Sequence, residues 1–197
     1  MFLAVQKLVV ATGNPGKLKE IEEYFTGLPW KLELKPQELD VEETGTTFIA
    51  NARLKALEVA KALGKWAIAD DSGLAVDALD GAPGLYSARY GKTDEERINR
   101  LLTELKGIEN RQAKFVCAIA IANSEGEIVI ETEGICPGEI LTFPKGNCGF
   151  GYDPIFYVPQ KAKTFAQMSP EIKSQISHRG VAFAQLMPDL KKITANC

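Results

Sequence analysis

Two adjacent carboxylates, Asp70 and Asp71, follow the short apolar run Trp66–Ala69 and precede Ser72 and Gly73. The run has the length of a buried strand, so we expect the strand to end before the two carboxylates. Ligands of open α/β sheets bind beyond the carboxyl ends of the strands, and Mg²⁺ favours one or two carboxylates together with substrate phosphates. The pattern therefore predicts a magnesium site, with a solvated Asp–Asp turn as the alternative.

A candidate anion-binding loop lies close to the N-terminus. The turn Gly13–Gly16 follows a predicted strand from Lys7 to Thr12, and Lys17 begins a predicted helix. A strand, a glycine-containing loop and a helix N-terminus in this order direct backbone N–H groups at an anion. The loop is not a Walker A loop, because only two residues separate its glycines. An ordinary βα turn is the alternative.

A long helix is predicted from Thr47 to Leu63, with Gly64 as its end. One of its faces carries Asn51, Lys55 and Glu58 at helical spacing. Such a face is usually solvated. It has a chemical role only if it points at the candidate carboxylates.

Three features of the second half could contact a flat, polar ligand. Phe150 stands between glycines, as in a base-stacking platform, although a tight turn with a buried ring is the alternative. His178 and Arg179 place two hydrogen-bond donors side by side, although a lone histidine more often packs or caps. Arg89 could clamp an oxyanion or stack on a tyrosine.

The remaining pattern predicts the elements that must position these residues. Thr93 to Glu96 reads as a capping box that opens a helix. The β-rich runs 113–122 and 127–135 are joined by a hairpin signal, and they predict an antiparallel extension of the sheet. A further strand is predicted at 139–143, and Ser169-Pro170 predicts a helix start.

Composition limits the class of protein. The 197 residues are 45% hydrophobic and 25% charged, as in an ordinary globular chain, and we expect a single domain over residues 1–197. The net charge of −3 gives no basic field for nucleic acid. Neither a membrane-spanning run nor a secretory signal is recognised, so a cytoplasmic location is expected. The cysteines Cys117, Cys136, Cys148 and Cys197 lack C-x-x-C spacing, which disfavours a zinc site or a disulfide framework.

Together the motifs resemble those of the inosine triphosphate pyrophosphatase (Ham1-like) family. They occur in the family's order and extend over nearly the whole chain. The matching segments are Thr12–Lys17 with Glu20, Glu42-Glu43, Thr47-Phe48, Asn51-Ala52, Lys55-Ala56, Ala69–Leu74, Ser87–Tyr90, Phe150–Pro154 and Ser177–Arg179. One departure is Ala50, where relatives often carry Glu.

The resemblance implies an α/β protein with two lobes around a long twisted mixed sheet, an active-site cleft between the lobes, and usually a homodimer. The implied activity is the Mg²⁺-dependent hydrolysis of non-canonical purine nucleoside triphosphates (ITP, dITP and XTP) to the monophosphate and pyrophosphate.

The same resemblance assigns roles to residues. Glu43 and Asp71 would bind Mg²⁺, and Asp71 and Lys17 would act in catalysis. Substrate binding would involve the phosphate loop, the nucleoside loop and separate polar side chains, namely Thr12, Gly13, Asn14, Pro15, Gly16, Lys17, Lys55, Ser72, Arg89, Phe150, Gly151, Tyr152, Asp153, Lys173, His178 and Arg179.

Two other classes of function compete with this one. A nucleotide sensor would keep the phosphate loop and the base platform without needing Asp71. An RNA-binding module could use Phe150 and Arg179 for stacking, although the acidic net charge argues against it.

Overall fold

Seven strands form one mixed sheet in the computed structural model, which describes residues 6–195. The strands are β1 (Gln6–Val10), β2 (Trp30–Leu34), β3 (Trp66–Val76), β4 (Gln112–Ala122), β5 (Ile128–Ile140), β6 (Phe156–Val158) and β7 (Lys163–Thr164). Their order in the sheet is β2-β1-β3-β4-β5-β6-β7. The helices are α1 (Pro15–Phe25), α2 (Phe48–Leu63), α3 (Asp94–Glu104), α4 (Pro170–Ile176) and α5 (His178–Ala195). Short 3₁₀ helices cover Asp77–Leu79, Gly84–Arg89, Pro159–Lys161 and Phe165–Gln167.

Strand direction confirms the predicted α/β class with a mixed sheet. β1 pairs in parallel with both β2 and β3, whereas β6 pairs antiparallel with β5 and β7. A parallel pair requires a crossover connection, usually a helix. Here α1 connects β1 to β2, and α2 lies between β2 and β3 in the chain.

Local capping signals set the helix ends as predicted. Thr47 caps α2 by accepting the amide N–H of Ala50, and Gly64 ends it in the left-handed conformation with φ 60°. Ser169 caps α4, with Pro170 as its first residue. Thr93 caps α3, but the carboxylate of Glu96 accepts the amide of Lys92 instead of completing the predicted box at Thr93.

Two strand predictions are wrong. β3 does not end at Ala69 but continues through Asp70 and Asp71 to Val76. The carboxylates remain inside the strand because they are buried with lysine and amide partners, as described below. No separate strand covers residues 139–143; β5 continues to Ile140 because its buried and exposed positions keep alternating through Gly134 and Pro137.

The chain divides into two compact units, each assembled from separate segments. The first unit contains the described residues up to Asp71, residues Ala118–Glu133 and the chain from Ala182 onward, and the second contains Ser72–Cys117 and Gly134–Val181. The first unit has a core of small residues, mostly alanine, from β1, α2, β3 and β4. The second has a larger apolar core that includes Phe115, Phe156 and Phe165. Because neither unit is continuous in sequence, neither corresponds to a separable piece of chain.

Two sequence expectations concern features outside the site. Cys136 and Cys148 are free thiols, Cys117 is buried as predicted, and Cys197 lies outside the described residues. Between residues 6 and 195, none of the helices is both long enough and apolar enough to cross a membrane.

Gly138 is required by close packing within the sheet of the second unit. A Cβ atom built there would lie 2.6 Å from both the Phe156 ring and the Tyr157 carbonyl oxygen. Gly138→Ala should therefore lower the free energy of unfolding by about 1–3 kcal/mol, the usual cost of overpacking. Urea unfolding measures this, with Gly13→Ala as the control, because a Cβ at Gly13 meets nothing within 4 Å. Equal stability of the two variants would contradict the prediction.

Candidate active site

The carboxylates of β3 form the centre of a charged cluster in the first unit. Asp70 and Asp71 are 2% and 6% exposed, although burying a carboxylate is costly unless charges and hydrogen bonds replace its water. Lys17, in the first turn of α1, places its Nζ 3.0 Å from Asp70 Oδ2. The first turn of α1 thus supplies the ammonium group that pairs with Asp70.

Helix α2 supplies the partners of Asp71. Asn51 Nδ2 donates to Asp71 Oδ2 at 3.0 Å, and Lys55 Nζ lies 3.7 Å from Asp71 Oδ1. The i, i+4 spacing of Asn51 and Lys55 puts both side chains on the face that points to β3, whereas Glu58 is exposed. Of the three predicted positions on this polar face, Asn51 is therefore buried, Lys55 is half-buried and Glu58 is exposed.

Glu43 joins the cluster from the segment before α2. Its Oε1 lies 2.7 Å from Lys55 Nζ, so one ammonium group connects Glu43 with Asp71. Asn51 Oδ1 accepts the amide N–H of Gly45 at 2.8 Å, which fixes the backbone two residues beyond Glu43. Gly45 is required because a Cβ there would lie 2.6 Å from Asn51 Oδ1.

Burial and charge oppose each other in this cluster. Burial raises the pKa of Asp71 above its ordinary value, and the positive charges of Lys55 and Lys17 only partly offset this. Burial lowers the pKa of Lys55, but the negative charges of Asp71, Asp70 and Glu43 outweigh it, so that the pKa is raised overall. Asp71 is thereby a stronger base than an exposed aspartate, beside a lysine that stays protonated.

The oxygen donors of this cluster suit a hard divalent cation. Glu43 and Asp71 both approach Lys55 Nζ, so the two carboxylates already face the same positive charge. Among residues 6–195, no group of three or more histidine, cysteine, aspartate or glutamate side chains is arranged to hold a metal ion. A pair of carboxylates is nevertheless sufficient for Mg²⁺ when phosphate oxygens and water complete its shell. The carboxylates of Glu43 and Asp71 therefore fit a Mg²⁺ ion.

In the predicted phosphate loop, Thr12–Lys17, the backbone amides of Asn14, Gly16 and Lys17 are bonded within the loop. Asn14 Oδ1 accepts the N–H groups of Gly16 and Lys17 at 2.9 and 3.3 Å, and Thr12 Oγ1 accepts that of Asn14. Asn14 thus acts as the N-cap of α1. Phosphate binding by this loop stays a prediction.

In the second unit, three predicted nucleoside-binding residues lie together. Lys173 Nζ is 2.6 Å from Asp153 Oδ2 and 4.9 Å from the centre of the Phe150 ring. The same Asp153 oxygen accepts the amide N–H of Phe150 at 3.0 Å. Gly149 has φ +78°, and a Cβ there would lie 2.0 Å from that carboxylate, so only glycine fits.

Three other predicted site residues lie in the second unit. Arg179, 1% exposed, donates from Nη2 to Ser72 Oγ at 3.1 Å. His178 stacks on Phe115 with 4.6 Å between ring centres. Arg89 is exposed, with its guanidinium 5.6 Å from the ring centre of Tyr86, as in the stacking alternative.

The sequence places Asp70 in the predicted carboxylate pair and Asn51 on the polar face of α2, but the resemblance assigns no role to either residue. Asp70 carries the ion pair with Lys17, and Asn51 contacts both Asp71 and the Gly45 backbone. The i, i+4 relation of Asn51 to Lys55 was the available signal. It could not be used without knowing that this face of α2 points to β3.

Comparison with known protein families gives one match over most of the chain. The model of the Ham1 family matches residues 8–189.

Similar proteins and structures carry related names. A dITP/XTP pyrophosphatase of Nostoc sp. is 64% identical over 183 residues, covering 93% of this chain and 93% of that protein. One from Synechocystis sp. is 60% identical over 187 residues, 93% of this chain and 96% of its own. The Ham1 protein structure of Staphylococcus aureus aligns with a TM-score of 0.85 at 44% identity, covering 95% of this chain and 99% of that one.

The raised pKa of Asp71 predicts a pH-dependent difference in stability. A carboxyl group whose pKa is raised by folding keeps its proton at pH values where the unfolded chain has already lost it. The folded chain therefore loses stability as the pH rises from about 3.9, the ordinary aspartate value, through the raised pKa of the folded state. Asparagine cannot ionise. The free energy of unfolding of Asp71→Asn, relative to the unmodified chain, should therefore increase between about pH 4 and about pH 7.

Urea unfolding at several pH values measures this difference. Asp77→Asn is the matched control, because Asp77 is an exposed aspartate just after the same strand. A stability difference for Asp71→Asn that stays constant with pH would mean that the pKa of Asp71 is not shifted by folding, and one that falls would mean that it is lowered; either result contradicts the prediction.

Proposed function

Because the chain belongs to the Ham1 family, we propose that it hydrolyses non-canonical purine nucleoside triphosphates, namely dITP, ITP and XTP, to the monophosphate and pyrophosphate. The names of the similar proteins from Nostoc and Synechocystis support this substrate class. The observation that carries the proposal is the cluster of Asp71 on β3, Lys55 on α2 and Glu43 from the segment before α2. It combines a hard-cation site, a strong carboxylate base and a cation for phosphate.

Asp71 is the proposed base and a proposed metal ligand. Water attacks the α-phosphorus, the bond from this phosphorus to the bridging oxygen breaks, pyrophosphate leaves, and Asp71 accepts the proton of the water. Asn51 holds Asp71 Oδ2 by a hydrogen bond of 3.0 Å, which orients the carboxylate. Burial raises the pKa of Asp71, which brings it closer to that of a useful general base.

Glu43 and Asp71 are the proposed Mg²⁺ ligands, and Lys17 and Lys55 neutralise phosphate charge. When bound, the cation polarises the phosphate oxygens and offsets their negative charge. The lysines can transfer from carboxylate to phosphate partners because Asp70, Asp71 and Glu43 already hold their ammonium groups in place. Phosphoryl transfer depends mainly on such positioning and charge neutralisation.

The second unit supplies the proposed nucleoside contacts. Phe150 offers a ring face for the base, and Ser72, Gly151, Tyr152, Asp153 and Lys173 are the proposed neighbours. Hypoxanthine and xanthine have an oxygen acceptor at C6, where adenine has an amino donor. Arg179 and His178 carry N–H donors, so the oxygen is matched and the amino group is not. An unpaired buried polar group costs about 1–3 kcal/mol.

Two further expectations belong to this proposal. A homodimer is implied by the resemblance, and a cytoplasmic location follows from the proposed substrates, which belong to the nucleotide pool. The proposed partners include neither nucleic acid nor a membrane.

The reaction is tested by incubating the chain with Mg²⁺ and dITP, and with dATP for comparison. We expect one pyrophosphate per dITP, no orthophosphate, and a kcat/KM at least about 10²-fold higher than with dATP. Asp71→Asn should reduce kcat by at least about 10²-fold, the scale for a lost general base, while dITP binding stays measurable. Asp77→Asn should have normal kcat.

Each contrary outcome identifies a rival. Nucleotide binding without pyrophosphate release indicates a sensor, and binding to RNA without hydrolysis indicates an RNA-binding module. Normal turnover of Asp71→Asn at saturating Mg²⁺ would remove Asp71 from the mechanism.

Glu43→Gln should mainly raise the Mg²⁺ concentration needed for half-maximal rate. A neutral amide is a poor ligand for a hard cation, and we expect a shift of about 10–100-fold, the scale seen when partners of a metal site are removed. Titrating Mg²⁺ at saturating dITP measures the shift. Glu42→Gln is the matched control, because Glu42 is the exposed preceding carboxylate. An unchanged titration for Glu43→Gln would place Glu43 outside the metal site.

A further inference from the structure

The loop from Gly146 to Asp153, here called the aromatic loop, has two consecutive amides bound by carboxylates. Asp153, inside the loop, accepts the N–H of Phe150 at 3.0 Å. The second carboxylate is outside the loop: Asp94, the first residue of α3, accepts the N–H of Gly151 through Oδ2 at 2.6 Å. The backbone amides of Phe150 and Gly151 are thus both held by charge-assisted hydrogen bonds.

Asp94 is itself held in place from the other side. Its Oδ1 lies 2.6 Å from Nη1 of Arg97, one turn along α3. The Nε of Arg97 donates to the carbonyl oxygen of Gly91 at 3.0 Å. One oxygen of Asp94 is therefore committed to the helix and the other to the aromatic loop.

A second contact attaches the loop to the chain that precedes α3. The hydroxyl of Tyr152 donates to the carbonyl oxygen of Ser87 at 3.0 Å. The Ser87 side chain in turn accepts the amide N–H of Leu74 and donates to the carbonyl oxygen of Gly84. The aromatic loop thus rests on the segment 84–97, and Asp94 is the charged member of that support.

We propose that Asp94 is a positioning residue for nucleoside binding. Through the Gly151 amide it sets the backbone that directs the Phe150 ring, and Arg97 keeps its carboxylate in the required orientation. Asp94 does not itself contact substrate. The inference rests on the proposed function for the nucleoside, whereas the attachment of the loop does not depend on any substrate.

The attachment is tested first, without nucleotide. Residue-resolved amide hydrogen exchange by NMR should be faster at Phe150 and Gly151 in Asp94→Ala, by about 5–20-fold, since one charge-assisted hydrogen bond at a half-exposed site is lost. Glu95→Gln is the matched control, because it removes an equal charge from the same first turn of α3. It should leave both exchange rates unchanged. Unchanged exchange in Asp94→Ala would overturn the inference, whatever the protein hydrolyses.

The effect on the reaction separates positioning from general destabilisation. Asp94→Ala should raise KM for dITP by about 5–20-fold with kcat within about twofold, because the loop binds the nucleoside equally in ground and transition states. Asp94→Asn keeps an oxygen acceptor for Gly151 but loses the charge that pairs with Arg97, so its KM should be intermediate. Urea unfolding of Asp94→Ala and Glu95→Gln checks that both remain folded.

Two contrary outcomes are distinguishable. Faster exchange at Gly151 with an unchanged KM overturns the positioning role, because Asp94 then holds the loop but does not affect nucleoside binding. Equal KM changes in Asp94→Ala and Glu95→Gln also overturn it, because the charge of the helix terminus rather than the Gly151 contact is then responsible. If the unmodified chain does not hydrolyse dITP, the proposed function fails, while the exchange result still decides whether Asp94 holds the loop.

Discussion

The burial of two adjacent carboxylates in one strand is the constraint on which the site depends. Asp70 and Asp71 lie inside β3, where an uncompensated charge would be costly. Each is compensated from a different helix: Lys17 of α1 contacts Asp70, and Asn51 and Lys55 of α2 contact Asp71. Removing one partner of a buried ion pair typically costs about 3–5 kcal/mol. The arrangement of α1 and α2 on the first unit therefore serves β3 electrostatically as well as by packing.

The alanine-rich core of the first unit makes these short contacts possible. Ala52 and Ala56, on the buried side of α2, pack with Ala67 and Ala69 of β3. Small side chains allow the helix backbone to approach the sheet closely, and the short side chain of Asn51 then reaches Asp71. Larger residues at these positions would move the helix away from the strand. The core composition and the charged cluster are thus parts of one arrangement.

Aromatic rings of the second unit pack together beside His178. Phe115, Phe156 and Phe165 pack against one another, and His178 stacks on Phe115. The only histidine of the chain is therefore part of a ring stack, which is the packing alternative considered from the sequence. A packed ring still keeps its nitrogen atoms at the ring edge, so packing and base recognition are compatible.

Features that depend on neighbouring residues were predicted correctly from the sequence, whereas features that depend on residues distant in the sequence were not. Thr47 and Gly64 mark the ends of α2 through their own backbone preferences, and both were predicted correctly. The continuation of β3 through Asp70 was not predicted, because aspartate is disfavoured in β-strands. What offsets that preference here is Lys17, which lies far away in the sequence. Knowledge of the pairing of β1 with β3 was needed to place Lys17 beside Asp70.

The same ion pairs explain how a stable cluster can also be reactive. Lys55 contacts both Glu43 and Asp71, so the two carboxylates share one ammonium group. In the proposed reaction, a divalent cation with phosphate oxygens would offer each group a new partner: the carboxylates would hold the cation and the lysine would hold the phosphate. The buried charges would then remain compensated when the substrate is bound. Asn51 remains bound to Asp71 by a neutral hydrogen bond, and it can keep the carboxylate oriented while the charged partners change.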